Sequence, residues 1–340
     1  MNRRAPFIVE IEITLRCPLR CIHCYSRGGE DQREYSTEQV KSILRQLHTS
    51  GVDIVDIVGG EPFIRKDIFD ILEYARKLGQ KVMVNTNGVL LDESRVRKLK
   101  EVYPDLVLGV SIDGASAKTC DYVRGAGTFQ KALNAVELLV RAGFKVVPLF
   151  VVNRMNWREF GEYVRMMKDK GVHGIYVDRF VPVGRGRENA SVLDMDVEEW
   201  FEALKYIHDV VRRESENIVF YLEESIKLER CSAGYSHASI LNDGRVVPCG
   251  HFRYQEDFVM GNILEQDFSE IWWNYGGLTM NNDECEYCPL FPSCGGGCPA
   301  YSIAKNGRFG KDEVACMFKR RENVVKGGEH RGIQTSGSRF

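Results

Sequence analysis

The sequence predicts an α/β fold: a partial (β/α)6 TIM-type barrel joined to a small, irregular, cysteine-rich, cluster-binding C-terminal domain. Three observations predict it. Short apolar runs alternate with amphipathic helical segments through the first two-thirds of the chain, which implies a parallel sheet with right-handed crossovers. Polar and glycine residues recur just after those runs, where a barrel of this kind carries its active face. From about residue 225 the periodicity stops, and Cys, Gly, Pro, Asn and aromatics take over.

The elements follow in order. Val9, Ile11, Ile13 and Leu15 alternate with Glu10, Glu12 and Thr14, a period-2 strand with one polar face. Residues 36–50 form a helix with Ser36 or Thr37 as its cap and Glu38 in its first turn. The strand Val52 to Val58 leads to the turn Gly59-Gly60-Glu61-Pro62 and a helix over 66–78. Strands over 81–86, 106–112, 144–152 and 174–181 alternate with helices over 92–100, 128–142, 156–170 and 197–213. About six such units are too few for the eight of a full barrel, so the sheet is expected to be open. Residues 1–215 are read as the barrel, 225–325 as the second domain with short helices near 267–275 and 312–324, and 329–340 as a disordered tail.

The chain has 340 residues, with 46 Lys+Arg against 48 Asp+Glu and a formal charge of −2. That balance argues against nucleic acid or an anionic membrane as partner. Apolar stretches such as Val146 to Val152 are too short to span a bilayer. The segment MNRRAPFIVEIEITL starts basic, but Glu10 and Glu12 interrupt its apolar run, so it reads as a strand and not a signal peptide. A cytoplasmic protein is expected.

The chain carries eleven cysteines. Three lie at 17, 21 and 24, seven between 231 and 316, and Cys120 stands alone. In a reducing compartment such clustering points to metal or to chemistry. Cys17-Pro-Leu-Arg-Cys21-Ile-His-Cys24 follows the first strand directly, and its thiolates can hold three irons of a [4Fe–4S] cube with the fourth left open. Zinc is the rival. His23 is a poor fourth ligand because it sits between close neighbours. Cys120 reads as a buried or idle thiol.

The CxxxCxxC loop after the first strand, followed by the Gly-Gly-Glu-Pro turn after the second, resembles the radical S-adenosylmethionine (SAM) enzymes. The resemblance implies that Cys17, Cys21 and Cys24 hold the catalytic cluster. Its open iron chelates the methionine end of SAM, and reduction releases a 5′-deoxyadenosyl radical. It also implies cofactor contacts from Gly59, Gly60, Glu61 and Pro62, with glycine needed for close backbone approach. Ser111 and Arg124, with Asp113 between them, resemble the residues that meet the methionine carboxylate. Thr86, Asn87 and Asn153 are similar to ribose- or adenine-side residues, and His23 and Tyr25 would pack the adenine end.

Cys231-x12-Gly244-x4-Cys249, then Cys285-x2-Cys288-x5-Cys294-x3-Cys298 and Cys316, resembles the SPASM domain with its two auxiliary clusters, expected as [4Fe–4S]. The resemblance assigns Cys285, Cys288, Cys294 and Cys316 to one cluster. Cys231, Cys249 and Cys298 go to the other, nearer the barrel, with His237 or an open iron as its fourth position.

By the same resemblance the substrate is expected to be a peptide or protein, oxidised or cross-linked by hydrogen abstraction. A separate recognition protein is allowed for, because no peptide-recognition domain is read before Phe7. Ferredoxin or flavodoxin would supply electrons. Modification of tetrapyrrole side chains, a small-molecule substrate, is the alternative. A cluster-stapled electron-transfer or binding protein is a third reading from another class, disfavoured by the glycine turn. Sulfatase maturation is disfavoured because Gly250 and His251, not an acid, follow Cys249. The run Gly184-Arg185-Gly186-Arg187 is expected to be a solvated linker or to meet a substrate carboxylate.

Overall fold

The computed structural model describes residues 5–278, 285 and 287–325, so the expected tail over 329–340 lies outside the described residues. Strands β1 (Ile8–Glu12), β2 (Ile54–Val58), β3 (Lys81–Thr86), β4 (Val107–Ser111), β5 (Lys145–Val152) and β6 (Gly174–Arg179) stand where the periodicity puts them. Between them run helices α1 (Thr37–Thr49), α2 (Ile68–Leu78), α3 (Glu93–Val102), α4 (Ala117–Arg124), α5 (Thr128–Arg141) and α6 (Phe160–Asp169). Two short helices, α7 (Arg185–Glu188) and α8 (Ala190–Leu193), lead into α9 (Val197–Glu214). Ser36 is the cap of α1, in a reciprocal capping box with Gln39, and Val40, Ile43, Leu44 and Leu47 form the buried stripe. Among the described residues, no helix is long and apolar enough to cross a membrane.

The sheet is larger than the sequence reading implied. β7 (Val219–Leu222) pairs parallel with β6, and β8 (His237–Ile240) pairs parallel with β1 on the opposite side. β9 (Arg245–Val247) and β10 (Gly261–Asn262) then extend it antiparallel, giving ten strands in the order β10-β9-β8-β1-β2-β3-β4-β5-β6-β7. The cysteine-rich segment thus shares the barrel's sheet rather than beginning after it. Strands of four residues such as VFYL and HASI are too short to show a period of two. The remaining helices are α10 (Glu224–Lys227), α11 (Phe268–Asn274), α12 (Phe291–Cys294), α13 (Pro299–Asn306) and α14 (Glu313–Val325).

Register shows which way each strand faces. Val9, Val55 and Val82 align, as do Ile57, Val84, Leu108 and Val146, and these side chains pack outward against the helices in the main core. The other face begins with Glu10, aligned with Asp56 on β2 and Ser239 on β8. Asp178 on β6 feels the charge of Glu10 although four strands separate them in the sheet. Glu223, just after β7, feels His237 on β8. Only a sheet curled into a barrel brings those pairs together. The polar face of the first strand therefore lines the interior. Glu12 is 1% exposed.

Buried ion pairs tie the two parts of the chain. Glu12 Oε1 meets Arg253 Nη1 at 2.5 Å, and Arg179 on β6 meets Asp312 ahead of α14 at 2.5 Å. Asp194 accepts from Trp200 Nε1 (3.0 Å), Tyr301 Oη (3.1 Å) and Lys305 Nζ (2.7 Å). Removing one member of such a pair strands the other in low dielectric. Arg253→Met should therefore cost about 3–5 kcal/mol in denaturant unfolding, and the double change with Glu12→Met should recover most of it. Equal losses in the single and double variants would contradict the pairing.

Candidate active site

The three clustered cysteines lie on the loop that leaves β1. Cys17 Sγ accepts from the Leu19 N–H (3.4 Å) and from Asn87 Nδ2 (3.7 Å), and Cys24 Sγ from the Gly28 N–H (3.3 Å). Cys21 is buried, its Sγ 3.7 Å from the Arg124 carbonyl. Burial pushes its thiol up to about 12, and the charges of Cys24 and Cys17 add to that. Three thiols that feel one another's charge, two of them with N–H donors at sulfur, are a donor set that suits an iron–sulfur cluster, whose metal displaces the protons.

The glycine run after β6 shapes this loop. Arg185 donates from Nε to the Cys21 carbonyl (3.0 Å) and from Nη2 to the Gly28 carbonyl (3.0 Å), and pairs with Glu30 (2.6 Å). Its own N–H reaches the Cys24 carbonyl (3.0 Å). Gly184 has φ +61°, and a Cβ there would fall on the Tyr25 carbonyl. Residues 184–186 are thus a clamp on the cysteine loop, neither a linker nor a substrate contact; Arg187 alone is exposed. Tyr25 itself stacks edge-on against His251, with ring centroids 5.1 Å apart, and so faces the cysteine-rich segment.

The turn after β2 presses against the same loop. Gly59 has φ +144°, and a Cβ there would land on the Thr14 carbonyl; one on Gly60 would lie 2.5 Å from the Leu15 carbonyl. The Gly60 and Glu61 amides donate to Thr14 and Arg16 (2.8 and 2.9 Å). The glycines are therefore required first by the neighbouring backbone. Glu61 is fully buried: it accepts from Thr86 Oγ1 (2.7 Å) and from the N–H groups of Asn87 (2.8 Å) and Phe63 (3.1 Å). Pro62 is buried behind it and starts a short 3₁₀ turn.

Across the mouth, Asp113 is fully buried. Its Oδ2 lies 2.7 Å from Arg124 Nε and 3.1 Å from His23 Nε2, and its Oδ1 accepts from the Val151 N–H (2.8 Å). Burial opposes its charge, but Arg124 and His23 hold its pKa down at about 2. His23 thus turns its Nε2 to Asp113. Ser111 ends β4 on the interior face, aligned with Leu149. Asn153 spends its polar atoms in its own loop, on Asn156, Val151 and Met155. The side-chain acceptors of Glu61, Asp113 and Asn153 are thus held within the protein. What these residues give a ligand is the shape of the wall. Cys120 is buried in the core beside α4's Val123.

The seven later cysteines form two sets. Cys285, Cys288, Cys294 and Cys316 line one small cavity with Phe291 and Lys311. Cys231, Cys249 and Cys298 feel one another's charge, and burial pushes all three thiols up. His237, the expected extra ligand, points elsewhere. Its Nε2 is 3.7 Å from Glu10 Oε2 and 3.4 Å from Ser239 Oγ, and Glu10 outweighs burial to lift it to about 9. The histidine beside a thiol is His251, its Nδ1 3.5 Å from Cys249 Sγ and its pKa pushed down to about 4 by burial. Its place two residues after Cys249 was the available signal.

The interior below the mouth was not recognised from sequence. Glu10, Asp56, Asp178, Glu223, Glu224 and His237 come from five stretches of chain and face one another. Burial, before any other cause, lifts Asp178 and Glu224 to about 7 and raises Asp56 and Glu223. Tyr176 Oη donates to Glu223, and Asn85 Nδ2 to Asp56 Oδ2 (2.8 Å). Asp56 Oδ1 and Asn85 Oδ1 are buried with no donor among the described residues. The signal was an acidic residue within the strands β1, β2 and β6, whose common side shows only once the curl of the sheet is known.

His237 gives a pH prediction. Its folded pKa lies above the ordinary 6.5, so its stabilisation is complete below pH 6.5 and is lost as pH rises through about 9. The stability difference between wild type and His237→Gln should therefore shrink between pH 7 and 10 in denaturant titrations. A constant difference would contradict the Glu10–His237 pairing.

Residues 11–167 match the Radical SAM superfamily, and residues 231–299 match SPASM, the iron–sulfur cluster-binding domain. The chain is 32% identical over 316 residues to the mycofactocin maturase MftC of Mycolicibacterium smegmatis, covering 87% of this chain and 79% of that one. It is 29% identical over 347 residues to the AdoMet-dependent heme synthase of Methanosarcina barkeri, covering 93% and 97%. Streptococcus suis SuiB bound to the precursor peptide SuiA has the same fold, with TM-score 0.77 at 22% identity over 92% of this chain and 76% of that one. The two matched domains bring with them a [4Fe–4S] cluster that works with SAM, and auxiliary iron–sulfur clusters. The readings as a zinc site and as a passive cluster-stapled protein are thereby set aside. The chain belongs to the radical SAM superfamily and is a radical SAM enzyme with a C-terminal SPASM domain.

Proposed function

We propose that this enzyme is a peptide maturase, which abstracts hydrogen from a residue of a peptide or protein and yields an oxidised or cross-linked product. It works in the cytoplasm with a donor such as ferredoxin or flavodoxin. Cys17, Cys21 and Cys24 would hold the catalytic cluster, and the turn Gly59–Pro62 with Ser111 and Arg124 would receive the methionine end of SAM. Tyr25, Thr86, Asn87, Asp113 and Asn153 shape the walls. Cys285, Cys288, Cys294 and Cys316 would hold one auxiliary cluster, and Cys231, Cys249 and Cys298 the other. Bound together, cluster and SAM supply a 5′-deoxyadenosyl radical.

The observation that carries the peptide reading is the charge of the barrel interior. Five carboxyl groups and one imidazolium face the enclosed space. A tetrapyrrole brings several further carboxylates to a space already lined with carboxyl groups, which favours it less than a substrate that donates hydrogen bonds. A peptide brings N–H groups and basic side chains, and Asp56 Oδ1 and Asn85 Oδ1 are acceptors without donors among the described residues. Oxidation also releases a proton, and a carboxyl near 7 such as Asp178 can take it at its Oδ atoms. MftC and SuiB, by their names a maturase and a protein bound to a precursor peptide, support this reading. The tetrapyrrole reading keeps the support of the heme synthase, 97% of whose length the match spans, and of an Fe-coproporphyrin III synthase from the same organism, 28% identical over 93% of this chain.

Deuterium decides between them. Extract from cells grown on deuterated medium is split by size and given anaerobically to reconstituted enzyme with SAM and reductant. Deuterium in 5′-deoxyadenosine from the peptide fraction is expected; deuterium only from the small-molecule fraction would favour the tetrapyrrole reading. Two variants test the site. Cys17→Ala should abolish SAM cleavage while leaving the auxiliary clusters in EPR spectra, whereas Cys294→Ala should keep uncoupled cleavage without product. Full cleavage by Cys17→Ala would contradict the assignment.

A further inference from the structure

Arg179 closes β6 and is fully buried. Its Nη2 pairs with Asp312 Oδ2 at 2.5 Å, but its Nε and Nη1 meet no acceptor among the described residues. Asp312 cannot satisfy them. Its Oδ2 already accepts from the Cys298 N–H (3.2 Å), and its Oδ1 accepts from the Val314 (3.1 Å) and Ala315 (3.4 Å) amides. Two buried guanidinium nitrogens with unmet N–H groups are expensive, and native folds rarely keep them without a partner.

The position of the head group identifies that partner. Through Asp312 the guanidinium is joined to the backbone of Cys298. Its Cζ lies 4.1 Å from the centroid of the Tyr301 ring, and the Tyr301 amide donates to Cys298 Sγ (3.5 Å). Gly297 completes the seat, since a Cβ there would stand 2.5 Å from Asp312 Cβ. Arg179 therefore sits on the turn that carries Cys298, where Cys231 and Cys249 also gather.

We infer that Arg179 is a positioning residue for the auxiliary cluster nearer the barrel, whose sulfur atoms accept the Nε and Nη1 hydrogens. This rests on the assignment of Cys231, Cys249 and Cys298 to that cluster. Hydrogen bonds to sulfur and a neighbouring positive charge both favour the reduced cluster and raise its potential. Arg179 thereby makes this cluster the better acceptor for an electron leaving a substrate in the barrel.

The test is an EPR-monitored redox titration of reconstituted full-length protein. The signal of this cluster is identified as the one lost in Cys249→Ala. In Arg179→Met its potential should fall, with Arg179→Lys in between, while the other signals stay in place and iron content is equal. An unchanged potential at equal iron content overturns the inference. Should the Met variant not load, wild-type protein labelled with [15N]arginine gives the answer: a weak nitrogen coupling on this signal is expected, and its absence overturns the inference. A wild-type protein in which no signal depends on Cys249 would strike the cluster assignment itself, and the inference with it.

Discussion

Two backbones lie against each other at the mouth of the barrel, and the catalytic geometry depends on that contact. The loop leaving β1 carries all three clustered cysteines and has little regular structure of its own. It is held from one side by the Gly59-Gly60 turn, where no Cβ fits against Thr14 and Leu15. From the other side Arg185 binds the carbonyls of Cys21 and Gly28. Two stretches distant in sequence therefore fix one short loop. Glu61 extends the arrangement by fastening the turn to Thr86 and Asn87 at the end of β3, and Asn87 reaches back to Cys17.

Beneath that mouth the barrel encloses charge instead of a dry core. Interior positions of β1, β2 and β6 carry Glu10, Asp56 and Asp178, and β8 adds His237 from the cysteine-rich segment. Because β8 is hydrogen-bonded to β1, the auxiliary part of the chain helps to wall the reaction space. Arg179 and Asp312 make a second connection, from the end of β6 to the turn of Cys298. Barrel and cluster segment are accordingly one structure.

Residues that act through local spacing were legible in the sequence. The Cys17–Cys24 loop, the Gly59–Pro62 turn, the long strands and the amphipathic helices declare themselves within a few residues. Helix α4 escaped notice because its buried residues, Thr119, Cys120, Val123 and Arg124, are only half apolar. β7 and β8 are too short to show a period. Glu10 and Glu12 signalled a polar face but not which side of the sheet it occupies, since that depends on curling around strands far along the chain. The clamp by Arg185 and the place of His251 depend likewise on contacts between distant segments.

The central claim is that the loop from Cys17 to Cys24 leaves one iron open to SAM and that Arg185 helps to hold it so. Electron–nuclear double resonance on the reduced enzyme, with SAM carrying 15N in its methionine amino group, tests this directly. A nitrogen coupling on the signal that Cys17→Ala removes, weakened or lost in Arg185→Met, is the predicted result. The absence of any such coupling, in wild-type protein with all its clusters loaded, would contradict the account.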